Sequence, residues 1–92
     1  MKKTSSKSKW FVYILKCGDG SLYTGITKDL RKRFEAHKSG KGSKYVRSRK
    51  AGKIVHRESF KTKSKALKRE VEIKGLSRLR KLILIMRSRS VK

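Results

Sequence analysis

Five side chains stand out for the chemistry their types permit together: the phenols of Tyr13 and Tyr23, the guanidinium of Arg33, the imidazole of His37 and the carboxylate of Glu70. A guanidinium can hold an anionic phosphate, a carboxylate can hold a divalent ion, and a phenol or imidazole can take a proton from water. Glu70 is the most informative. A helical period over Lys63 to Lys74 sets it among Ala66, Leu67, Val71 and Ile73, in the middle of the apolar face. A carboxylate aimed at a core is costly unless a cation or hydrogen-bond donors meet it, which leaves a structural ion pair with an arginine or a divalent metal at a cleft. The other acids, Asp19, Asp29, Glu35, Glu58 and Glu72, fall in a turn or at positions expected to be exposed. No carboxylate cluster assembles from them, which disfavours a two-metal site.

The same wheel over Lys28 to Lys38 places Leu30, Phe34 and Ala36 around Arg33 and turns Arg31, Lys32 and Glu35 away, so Arg33 is the inward cation. His37 follows one turn later on the same side. By residue type alone such a histidine is a packed structural group. The tyrosines depend on a hairpin: with an odd loop, Cys17 to Ser21, Leu15 opposes Tyr23 and Tyr13 opposes Gly25, which puts both phenols on one face. Gly25 leaves that face without bulk, and a glycine inside a strand marks the close approach of a ligand or of another backbone.

The elements that must position these groups follow from pattern. Trp10 to Leu15 is a continuous run of aromatic, β-branched and leucine side chains, as in a central strand covered on both faces. Leu22 to Ile26 returns as its hairpin partner. Thr27 is expected to cap the first helix with Asp29 in its first turn, and Ser39 to Ser43 ends it. Residues 44–52 are expected to be loop or one irregular turn. Lys53 to Lys61 has the composition of an edge strand, and Gly75 stops the second helix. The stripe Leu79, Leu82, Ile83, Met86 marks a third helix that closes the core. The expected architecture is α+β, a small three-stranded antiparallel sheet flanked by helices in ββαβαα order. Residues 10–86 form one domain between flexible basic tails at 1–9 and 87–92.

Composition narrows the partner. The chain has 29 Lys and Arg against 6 Asp and Glu, a net charge of +23. That excess calls for a polyanion, and nucleic acid fits because each neutralised phosphate releases counterions. A membrane is not expected, since there is neither an apolar span nor a lipid anchor. The single Cys17, placed in the hairpin turn, cannot form an intramolecular disulfide, which suits the reducing cytoplasm.

Val12-Tyr13-Ile14, then Tyr23-Thr24-Gly25 ten residues later, Arg33 ten beyond that, and a downstream helical Glu70 resemble the GIY-YIG nuclease family in order and spacing. Gly18 to Thr27, Gly40 to Arg49 and Arg69 to Lys74 further resemble its small stand-alone bacterial members of poorly defined role. The resemblance covers about residues 10–85 and implies one magnesium or manganese ion (Mg2+ or Mn2+) on Glu70. It also implies a proton-accepting tyrosine, Tyr13 or Tyr23, assisted by His37, and an arginine, Arg33, stabilising phosphoryl charge. An ordinary phenol titrates near ~10, so the base needs nearby positive charge. Gly25, Lys44, Arg47 and Lys74 are expected to contact substrate. Two departures stand out: Phe11 replaces the first motif's glycine, and the family's late Asn has no counterpart because the chain contains no Asn, which leaves Lys74 as its substitute or the activity reduced. The expected function is a metal-dependent endonuclease on nucleic acid, DNA ahead of RNA, acting as a monomer. The alternative is a non-catalytic nucleic-acid-binding module on the same fold.

Overall fold

A computed structural model describes residues 9–90, with the side chains of residues 89 and 90 left aside. The order is β1 (Trp10–Cys17), β2 (Leu22–Thr27), α1 (Leu30–Lys38), α2 (Lys44–Arg49), β3 (Ala51–Phe60), α3 (Lys63–Lys74) and α4 (Arg78–Ser90). The three strands form one antiparallel sheet in the order β2-β1-β3, so the apolar run of β1 is central and β3 is an edge. The α+β sheet and the flanking helices match the sequence expectation. The difference is α2, where a loop or irregular turn was expected. Ser43 caps it by accepting from the Val46 amide, and Val46 is fully buried. The buried Val46, the Tyr45 ring against Tyr23 and the Ser43 cap hold a helix in a segment whose basic composition hides it.

The alternation of β1 divides the core in two. Val12 and Ile14 point to one face and meet Ala66, Ile73 and Ile85 of α3 and α4. Tyr13, Leu15 and Cys17 point to the other and meet Val46, with Leu30 and Phe34 packed alongside. Cys17 is a buried core residue that pairs with β3 at the end of β1, and its backbone also opens the hairpin turn, its carbonyl accepting from the Gly20 amide at 2.9 Å and its amide donating to the Ser21 carbonyl at 2.8 Å. Asp29, not Thr27, caps α1, its carboxylate accepting from the Lys32 amide at 3.0 Å. Thr27 closes β2, and its hydroxyl accepts from the Asp29 amide.

The stripe on α4 does not close the core. Leu79, Leu82, Ile83 and Met86 are between 36% and 68% exposed, while Leu84 and Ile85 make the packing contacts. The helix runs on to Ser90, so residues 87–90 of the expected tail are helical. The remainder of that tail and residues 1–8 lie outside the described residues. Among the described residues no helix is long and apolar enough to cross a membrane.

Glu58, expected to be exposed, instead locks α3 to the sheet. Arg69 of α3 grips it with two hydrogen bonds, Nε to Oε1 at 2.8 Å and Nη2 to Oε2 at 3.0 Å, and buried His56 meets Oε2 at 2.7 Å. Burial alone would raise the carboxyl pKa, but the hydrogen bonds from Arg69 and His56 outweigh it and hold the group below its ordinary 4.5. A depressed folded pKa contributes stability that is present above the unfolded value and is lost as pH falls through the folded one. Thermal unfolding should therefore show a midpoint that declines below about pH 4.5. Glu58→Gln should flatten part of that decline and cost about 1–2 kcal/mol at neutral pH.

Candidate active site

The hairpin register is the one required by an odd loop: Tyr13 lies opposite Gly25 and Leu15 opposite Tyr23. Both phenols therefore share the sheet face covered by α1 and α2. What approaches Gly25 is Tyr13 itself, since a Cβ at Gly25 would stand 2.7 Å from the phenol oxygen and 3.1 Å from the Tyr23 ring. The bare strand position thus makes room for a neighbouring side chain, and the Tyr13 ring occupies the space in which a ligand was anticipated.

Tyr13 is fully buried, and its oxygen sits between two groups of α1. His37 Nε2 is 2.8 Å away, and Arg33 Nε donates to the same oxygen at a long 3.4 Å. Arg33 also donates from Nη2 to the Gly42 carbonyl at 3.1 Å. These bonds use two of the five guanidinium N–H groups, Tyr23 is a further hydrogen-bonding neighbour, and the donors that remain are available to an anion. The Tyr13 phenol above all, with Tyr23 contributing less, raises the Arg33 pKa further.

His37 is 2% exposed. Burial, and then the Arg33 charge, hold its pKa below the ordinary 6.5, so the ring is neutral at pH 7. Its Nδ1 has no hydrogen-bond partner. Since Arg33 already donates to the phenol oxygen, the tautomer that satisfies most groups has Tyr13 donating to Nε2 and the ring proton on Nδ1. Burial also raises the Tyr13 pKa, although the hydrogen bond from Arg33 opposes it. Tyr13 therefore keeps its proton and shares it with His37.

Tyr23 is only half-buried, its ring edge-on to His37 at 5.3 Å and tilted against Tyr45 at 5.8 Å. Tyr45 of α2 is 39% exposed and carries the Arg49 guanidinium 4.0 Å from its ring centre. Tyr45 and Gly42 were missed from sequence. The available signal was Ser43, a helix cap directly ahead of Lys44-Tyr45-Val46. Lys44 and Arg47 are exposed on the same short helix, with the Arg47 stem lying over Gly40.

Glu70 is intermediate in exposure, at 16% for its side chain, and pairs with Lys74 one turn on at 2.9 Å. The apolar face inferred around it is half correct. Ala66 and Ile73 are fully buried, whereas Leu67 and Val71 are 41% and 66% exposed, so Glu70 stands at the border of the core. The observed ion pair is with a lysine of its own helix, where a structural pair with an arginine was one of the two expectations. Its charge reaches Tyr13, where it is among the influences that raise the phenol pKa. Among the described residues no group of three or more His, Cys, Asp or Glu could enclose a metal. One carboxylate suits a magnesium-like ion, which keeps most of its waters and takes further oxygens from a substrate phosphate.

Residues 9–82 match the family described as the GIY-YIG catalytic domain. A UPF0213 protein of Staphylococcus saprophyticus is 54% identical over 77 residues, covering 84% of this chain and 94% of its own. A UPF0213 protein of Staphylococcus aureus is 55% identical over 75 residues, covering 82% and 92%. The solution NMR structure of a UPF0213 protein from Bacillus halodurans is 45% identical, with a TM-score of 0.55 over 85% of this chain and 83% of that one.

Proposed function

Because the chain belongs to the GIY-YIG family of catalytic domains, we propose that it is a metal-dependent endonuclease that hydrolyses phosphodiester bonds in nucleic acid, with DNA preferred to RNA. The observation that carries this reading is the Tyr13 oxygen shared between Arg33 and a neutral His37, with the half-buried Tyr23 alongside. The net charge of +23 supports a nucleic-acid partner.

In this reading the remaining N–H groups of Arg33 bind non-bridging phosphate oxygens, where charge grows as the nucleophile adds. Tyr13 is a positioning group. Its buried phenol accepts from Arg33, donates to His37 and sets the angle of the guanidinium. Tyr23 is the phenol that reaches solvent, so it can release its own proton there, and its phenolate then takes the proton from the attacking water and returns to the phenol. Glu70 would hold the divalent ion, Mg2+ or Mn2+, which when bound supplies positive charge to the phosphoryl group and its leaving oxygen. Lys44 and Arg47 on α2, and Lys74 beside Glu70, extend the contact to neighbouring phosphates, and Gly25 serves by admitting Tyr13. The protein acts as a cytoplasmic monomer, with residues 10–86 as the working domain.

The test incubates pure protein with labelled single-stranded, duplex and branched DNA and structured RNA, in Mg2+, Mn2+ or EDTA, with Tyr23→Phe in parallel. Metal-dependent cutting that falls about 10²-fold in Tyr23→Phe, and less in Tyr13→Phe, is expected. Tight binding without cutting under any condition would refute catalysis and leave a nucleic-acid-binding module.

A further inference from the structure

The loop between α1 and α2 meets the candidate catalytic groups at one peptide. The Gly42 carbonyl accepts from Arg33 Nη2 at 3.1 Å. The Gly42 α-carbon lies against the His37 ring, so closely that a Cβ there would collide with Nδ1 and would stand 2.8 Å from both Cε1 and Cγ. The ring cannot retreat, because it is 2% exposed and its Nε2 is engaged by Tyr13 at 2.8 Å. The left-handed backbone that favours glycine occurs at Gly40, with φ +84°, and not at Gly42. Glycine at position 42 therefore answers to proximity and not to conformation.

We propose that Gly42 is a positioning residue of the active site, whose missing side chain lets one peptide press on His37 while its carbonyl draws in Arg33, so that both groups holding the Tyr13 phenol are set by the same loop. The inference rests on the nuclease reading for its catalytic consequence and on geometry alone for the contact. The same peptide lies over Nδ1, which is buried without a partner. The loop thereby adds to the burial that keeps the ring neutral. The charged or titratable groups facing His37 are Tyr13 from β1, Tyr23 from β2 and Arg33 from its own helix.

The experiment compares wild type, Gly42→Ala, His37→Ala and the double variant by thermal unfolding, cleavage kinetics and NMR titration of the imidazole in the chains that retain it. In Gly42→Ala, kcat should fall by on the order of 10²-fold with KM little changed, and the His37 pKa should move up toward 6.5. In the His37→Ala background the added methyl has room, so Gly42→Ala should lower neither the unfolding midpoint nor the residual kcat further. If Gly42→Ala alone fails to fold, a folded double variant still supports the contact. A penalty that persists at full size without the imidazole, a double variant that also fails to fold, or an unmoved His37 titration would overturn the proposal. Absence of cleavage in wild type would refute the nuclease reading instead, because the unfolding cycle and the titration report on Gly42 without turnover.

Discussion

Glu70→Gln should abolish metal-dependent cleavage, by about 10³-fold, while nucleic-acid binding and its salt dependence stay within about twofold of wild type. The expectation follows from where Glu70 stands. It is not sealed in the core, since Leu67 and Val71 beside it are exposed, and its ion pair is with a lysine whose own side chain is 53% exposed. An intrahelical pair whose lysine stands half in solvent contributes modestly to stability, so the amide, which keeps the carboxylate's shape, should leave α3 folded. What the amide cannot do is hold a hydrated divalent ion against a phosphate. Cleavage assays in Mg2+ and Mn2+, with fluorescence anisotropy at two salt concentrations, separate the two properties. Equal loss of binding and cutting would make Glu70 a structural residue.

Arg33→Ala should be of similar size but different in kind, lowering cleavage by roughly 10³-fold and weakening binding as well. Arg33 anchors the cluster from two directions, through Tyr13 by Nε and through the Gly42 carbonyl by Nη2. Its remaining donors are the ones available to phosphate. Arg33→Lys should rescue little of the loss, because a single ammonium cannot span both partners and the substrate. A second signature needs no substrate. The Arg33 charge is, after burial, what lowers the His37 pKa, so Arg33→Ala should move that titration upward. In wild type the acid limb of kcat should lie below pH 6.5, where protonation of His37 takes away the acceptor of the Tyr13 hydrogen bond. A His37 resonance that titrates identically in wild type and Arg33→Ala would refute the electrostatic coupling.

Much of this site could be read before any coordinates. The alternation of a strand is a property of its own backbone, so the parity of the Cys17 to Ser21 loop was enough to put Tyr13 across from Gly25 and Tyr23 across from Leu15. Helical periodicity is equally local, and it identified Arg33 and His37 as the inward side of α1. The apolar run of Trp10 to Leu15 announced a central strand, because no other place in a small α+β fold buries both faces.

The tertiary structure decided what depends on a third element. A wheel orders residues around a helix but does not say which arc meets a neighbour, so the outward stripe of α4 and the border position of Glu70 were not legible. Glu58 looked exposed until Arg69 of α3 reached it and joined His56 of its own strand. The space over Gly25 belonged to Tyr13, α2 formed because Val46 found a pocket, and Gly42 came to lie on His37 through the path of a loop. The choice between the phenols had the same origin. Sequence by itself determined the three strands, the three longer helices, the hairpin register and the inward face of α1, since these are periodic properties of a local backbone. Only the packing of elements distant in sequence decided which tyrosine is buried with its proton and which one meets the solvent, because burial is set by what covers a side chain and not by the side chain.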